Sequence, residues 1–131
     1  MRYLIAGVLA LGLNASAALA ETIEDVIGQQ LNAFNERDMP KAFDFASPMI
    51  KRLFGNAINF GSMVSRAYPM VWNNSDVRFL GVREMGGSRI QKVLVRDADG
   101  GLHMLEYKMI PVQDGWQIDG VQLLPAPELG A

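Results

Sequence analysis

The chain has 131 residues, 12 Lys and Arg against 14 Asp and Glu, one histidine and no cysteine. Disulfides, thiol catalysis, thiolate metal sites and a lipid-modified cysteine anchor are therefore excluded. A net charge of −2 with scattered basic residues speaks against a nucleic-acid or phosphate-binding surface.

The chain opens on MRYLIAGVLALGLNASAALA. Arg2 gives a positive start, Tyr3 to Leu13 is an apolar run too short to span a bilayer, and Ala18-Leu19-Ala20 fits a small-residue cleavage pattern. Residues 1–20 read as a cleavable secretory signal peptide, and residues 21–131 as a single α+β domain that is periplasmic or secreted. The competing reading is an uncleaved N-terminal anchor. Arg2 is the only charged side chain of this segment, so its removal takes the net charge from −2 to −3. No later segment is apolar enough to cross a membrane. A cysteine-free exported chain must be held by its core alone.

From Glu21 to about Trp72 the pattern is helical. A first helix is expected from about Thr22 to Arg37, with Thr22 and Asp25 as a capping box. Its apolar stripe is Ile23, Val26, Ile27, Gln30, Leu31 and Phe34. Asp38 with Pro40 opens a second, short helix that buries Ala42, Phe43 and Phe45. Ser47-Pro48 repeats the signal, Met49, Ile50, Leu53 and Phe54 follow, and Gly55 stops that helix. A further helix is expected from Ile58 to Tyr68, with Phe60, Met63, Val64 and Ala67 inward and Pro69 ending it.

From Ser75 to Leu124 the chain alternates as strands. Four are expected: Asp76 to Met85, Arg89 to Arg96, Leu102 to Val112 and Trp116 to Leu124. The turns fall at Gly86-Gly87, Asp97 to Gly101 and Asp114-Gly115. A two-residue turn at Asp114-Gly115 sets Gln113 opposite Trp116, Pro111 opposite Ile118, Met109 opposite Gly120 and Tyr107 opposite Gln122. Trp116 and Ile118 then share the helix-facing side with His103, Leu105, Tyr107 and Met109. Glu106, Lys108 and Asp119 take the wetter side. The middle turn reads in two registers. A three-residue loop, Ala98-Asp99-Gly100, sets Val93 and Val95 beside Leu105 and His103 and pairs Lys92 with Glu106. A two-residue loop would bring Lys92 and Arg96 inward. The first is chosen because it keeps charges out of the core.

The run Gln30-Leu31-Asn32-Ala33-Phe34-Asn35 followed by Asp38, and the closing Asp114-Gly115-Trp116-Gln117-Ile118-Asp119-Gly120, resemble the nuclear transport factor 2-like (cystatin-like) cone fold. The middle of the chain is similar to a short bacterial family, domain of unknown function 4864. The residues that carry this are Phe43-Asp44-Phe45-Ala46-Ser47-Pro48 and Met63-Val64-Ser65-Arg66-Ala67-Tyr68-Pro69-Met70-Val71-Trp72. The resemblance covers the whole chain after residue 20 and implies N-terminal helices packed on a curved antiparallel β-meander of about four strands. Many cone-fold members place a small hairpin before the last helix. None is legible between Ala46 and Phe60, which implies a shallower cone.

Few residues offer chemistry. His103 is the only side chain that ordinarily changes charge near neutral pH. It can serve as a base with Tyr107, in a small lyase or isomerase, or sit half-exposed beside a turn. The reading offers no inward carboxylate to orient it. Asp119 is either a strand base or the surface partner of Lys108. Tyr68, Trp72, His103, Tyr107, Met109 and Trp116 are the expected lining of any pocket for a small apolar ligand, although core packing explains the aromatic ones without a ligand. Arg66 and Arg78 could meet a carboxylate, or stand solvated. Asp97, Asp99 and Gly100 fit turn chemistry better than a calcium loop. No phosphate-binding glycine loop, G-x-S-x-G or H-E-x-x-H is present.

The sequence thus leads to a non-catalytic binding module for a small apolar or amphipathic ligand, with no metal, cofactor or nucleic acid. The alternative is a homodimer formed through outward Val121 and Leu123. An enzyme built on His103 and Tyr107 ranks third.

Overall fold

Among the described residues four helix starts carry a side-chain cap, and these caps partition the segment from Glu21 to Trp72. In the computed structural model, which describes residues 21–125, helix α1 spans Ile23–Asn35. The Asp25 amide donates to the Thr22 hydroxyl and the Thr22 amide donates to the Asp25 carboxylate, both at 3.1 Å, which completes the capping box. Arg37 then takes a left-handed conformation (φ 58°) and ends the helix two residues before the expected boundary. Helix α2 is Met39–Asp44, capped by Asp38. Helix α3 is Pro48–Phe54, between the Ser47 cap and Gly55 at φ 84°. Helix α4 is Ala57–Ala67, capped by Asn56, and Pro69–Trp72 forms the short α5. Phe60 and Val64 of α4 are buried and Met63 packs against the core, but Ala67 is exposed, because α4 turns it away from the sheet before Tyr68 breaks the helix.

The strands are β1 Asn74–Met85, β2 Ser88–Asp97, β3 Leu102–Val112 and β4 Gly115–Leu123, in the order β1-β2-β3-β4, all antiparallel. The fold is α+β, helices on an open four-stranded sheet. The β2–β3 register is the one chosen on charge: Val93 faces Leu105, Val95 faces His103 and Lys92 faces Glu106. On the outer side the Glu106 carboxylate is held at 2.7 Å by Arg83 from β1, a partner two strands away that pairwise reasoning omitted.

The β3–β4 register differs from expectation in two ways. Val112 faces Gly115, so the turn residues are Gln113 and Asp114, and Ile118 faces Met109 instead of Pro111. A slip of two residues keeps every side chain on its face, so alternation is blind to it. Asp119 is then an extra residue, a bulge between the pairs Met109–Ile118 and Lys108–Gly120. The bulge inverts the facing of all that follows. Val121 stands opposite Tyr107, and Leu123 opposite Leu105, on the helix side of the sheet. The two residues expected to face outward therefore face the helix side instead.

The edge of β4 is covered. Ala46 makes a single parallel bridge to Ile118, through Ile118 N–H to Phe45 O and Ser47 N–H to Ile118 O, both 2.8 Å. This satisfies backbone groups that an edge strand would leave open. It is one bridge, followed at once by α3, and no hairpin lies between Ala46 and Phe60.

The core sits where α1, α4 and α5 meet the helix-side face of β2 and β3. Ile27, Leu31 and Phe34 of α1 and Val93, Val95, Leu105, Tyr107 and Met109 of the sheet are essentially inaccessible. Each such side chain contributes roughly 1.5–3 kcal/mol by burial.

Candidate functional site

Between α1, α3, α4 and the β3–β4 end of the sheet lies a cavity of about 250 Å³. Its floor follows from the β3 alternation, which places Tyr107 between Leu105 and Met109 on the helix side, with Ile118 and Val121 beside it on β4. Its back wall is one face of α1, Gln30 and Phe34, at helical spacing i and i+4. Its roof is Phe60, Met63 and Val64 of α4, continued by Tyr68 and Val71. Ile50, Leu53 and Phe54 of α3 form the rim. Phe60 anchors the wall, with ring centroids at 5.3 Å from Phe43, 5.9 Å from Phe54 and 6.0 Å from Phe34.

The rim helix is unusual in its exposure. None of its residues is fully buried, and Leu53 is 68% exposed. It is held at its start instead. Ser47 Oγ accepts from the Ile50 amide (3.2 Å) and donates to Asp119 Oδ1 (2.6 Å), tying the cap to the β4 bulge.

No described residue lining the cavity is charged. Three polar side chains reach it. Gln30 Nε2 donates to Ala42 O at 3.1 Å, and the Tyr68 hydroxyl donates to Val121 O at 2.9 Å. The Tyr107 hydroxyl is buried and has no hydrogen-bond partner, the only such buried side-chain atom among the described residues. Burial first, and the neighbouring Tyr68 second, push its pKa far above the usual phenol range. It is a neutral donor at any physiological pH.

Of the six residues expected around a pocket, Tyr68 and Tyr107 line this cavity and the other four do not. Trp72 lies behind Phe34 (6.1 Å between centroids), with the Arg37 guanidinium 4.1 Å above its ring. Arg37 also donates to Phe34 O and Trp72 O, so Trp72 belongs to a clamp on the end of α1. Met109 is wholly in the core. Trp116 flanks a separate depression, with Glu21 and Asp114, and packs under Arg89 at 5.0 Å. Trp116 stands opposite Pro111, at the hairpin end of the sheet and beyond the residues that line the cavity.

His103 is at the β2–β3 turn, where its Nε2 lies 2.7 Å from Asp97 Oδ2. This corrects the expectation that no carboxylate orients it. Asp97 Oδ1 meanwhile accepts from the Asp99 and Gly101 amides, at 2.9 and 2.8 Å. The His103 contact, then the Gly101 amide, hold the Asp97 carboxyl below its usual range. His103 and Tyr107 are four residues apart on one strand, about 13 Å. The structure does not bring them together. Nor do Arg66 and Arg78 line the cavity.

The remaining wall residues were legible only as core. Helical periodicity marked Phe34, Phe60, Met63 and Val64 as inward, and no pattern separates a side chain that fills space from one that borders a cavity.

This is a small α+β domain with an apolar cavity between its helical layer and its sheet. The chain belongs to the family described as Domain of unknown function (DUF4864), which matches residues 16–131. It is similar to the solution structure of a SEC-C motif containing protein from Rhodopseudomonas palustris, with a TM-score of 0.59 at 17% identity over 87% of this chain and 88% of that one. At that identity the likeness concerns the fold alone. No curated protein matches the sequence.

Proposed function

We propose that this protein is a non-catalytic binding module for a small apolar or amphipathic molecule. One observation carries the reading: a cavity of about 250 Å³ whose lining is apolar apart from two tyrosines and Gln30. Sites for small molecules are mostly apolar concavities with a few placed polar groups. Its lining offers no carboxylate, histidine or lysine to move a proton, which supports the binding reading over the enzyme one for this cavity. The leader-like residues 1–20 lie outside the described residues, and with them we propose export to the periplasm or beyond. We likewise read the layered arrangement as cone-type, nuclear transport factor 2-like.

Native and denatured mass spectra of the protein taken from its own compartment test the binding reading. The expected result is a small added mass in the native spectrum that vanishes on denaturation. A bare dimer would favour the sheet-mediated homodimer instead. Bare protein that also fails to take up an apolar probe such as cumene overturns the proposal. An N-terminus beginning at Glu21 is the result expected for the exported form.

A further inference from the structure

The cavity has a wall chemistry that selects among small molecules. An apolar cavity of about 150 Å³ holds benzene. In proportion, the 250 Å³ here suits about ten non-hydrogen atoms. Burying a carboxylate or ammonium without a partner costs far more than such a ligand gains by leaving water. No described lining residue could supply a counter-charge. A ligand that buries its charge within the cavity is therefore excluded on energy.

The Tyr107 hydroxyl completes the argument. The residue lines the cavity but is 1% exposed, and its hydroxyl, covered over in the free protein, donates to no protein group among the described residues. Buried donors are nearly always paired, and one left alone carries its full desolvation penalty. Tyr68 does not compete for the role, since its own proton is used on Val121 O. We propose that the ligand is a neutral molecule with one oxygen acceptor, a ketone, ester, ether or alcohol, which takes the Tyr107 hydrogen bond as the side chains covering that hydroxyl in the free protein give way, while its apolar part rests against Phe34, Phe60 and Val64. Tyr107 is then the residue that sets specificity. This rests on the binding-module reading and narrows it.

Three probes of equal heavy-atom count separate the possibilities: cumene, acetophenone and benzoate. Their dissociation constants are measured by titration on the wild type and on Tyr107→Phe. Tyr107→Phe is expected to weaken acetophenone about fivefold to tenfold while leaving cumene unchanged or tighter. Benzoate is expected to be the weakest of the three on both proteins. A variant-independent readout accompanies this: the carbonyl stretch of acetophenone bound to the wild type should fall below its value in an apolar solvent. The proposal is overturned if Tyr107→Phe affects acetophenone no more than cumene, if the stretch does not move, or if benzoate binds best. If neither cumene nor acetophenone binds the wild type, the binding-module reading falls as well, so the two failures are told apart.

Discussion

Tyr107 shows how one side chain can be both core and site. Its ring is as buried as Leu105 and Met109 on either side of it, yet its hydroxyl has nothing to bond among the described residues. In the free protein that group is a cost. Removing it should therefore stabilise: Tyr107→Phe is expected to gain about 1 kcal/mol, and a domain of this size then melts roughly 4–8 °C higher. Differential scanning calorimetry checks the sign, and a lower melting temperature would mean that the hydroxyl has a partner in solution. Two carboxylates give a second expectation at this scale. Arg83 holds Glu106, and His103 with the Gly101 amide holds Asp97, below their ordinary values of 4.5 and 3.8. A carboxyl whose pKa is depressed by folding adds stability that is fully present above its unfolded value and is lost as the pH falls through the folded one. These two groups should thus make stability decline below about pH 4–5. Glu106→Gln should make the acid limb of a pH series of urea melts shallower, and an unchanged limb would show that the Arg83 pair is fully screened.

Among the elements, α3 has the least packing and the most informative cap. Ser47 ends a backbone bridge to Ile118, caps α3 and donates to Asp119. Asp119 keeps a longer contact to Lys108, at 3.6 Å. Ser47→Ala removes an N-cap and one hydrogen bond of a partly buried carboxylate together, and is expected to cost about 2 kcal/mol. Chemical denaturation measures it. A cost near zero would mean that α3 is placed by its rim contacts and not by its cap. Gly55 at the other end has φ 84°, with open space where a side chain would sit, so Gly55→Ala should cost about 1 kcal/mol by backbone strain alone.

Across the whole molecule, packing is uneven. Val93, Val95, Leu105 and Tyr107 lie at the centre of β2 and β3, while the far half of β1 and all of α3 carry no fully buried residue. Local opening follows burial. Amide exchange is expected to be slowest in β2 and β3 and fastest among the longer helices in α3, with protection of α3 rising when an acetophenone-like ligand is present. Leu105→Ala, which empties a fully buried site at the centre, should cost about 2–5 kcal/mol and lower protection throughout. Exchange in α3 as slow as in β3 would contradict the reading that α3 is weakly held by its few buried contacts.

Local chemistry determined more of this protein than might be asked of 131 residues. The caps at Thr22, Asp38 and Ser47, the stop at Gly55 and the three-residue turn at Ala98 to Gly100 were all legible, because each depends on neighbours within a few residues in the chain. The β2–β3 register was legible too, since the other choice would have put Lys92 and Arg96 in the core. The tertiary structure alone decided the rest. A two-residue slip in β3–β4 leaves every alternation intact, and the Asp119 bulge is set by Ser47 and Ala46, more than seventy residues away. That bulge turned Val121 from an expected surface contact into a cavity wall. The cavity itself is volume that α1, α3, α4 and the sheet together leave unfilled, and unfilled volume belongs to no single residue whose identity could announce it.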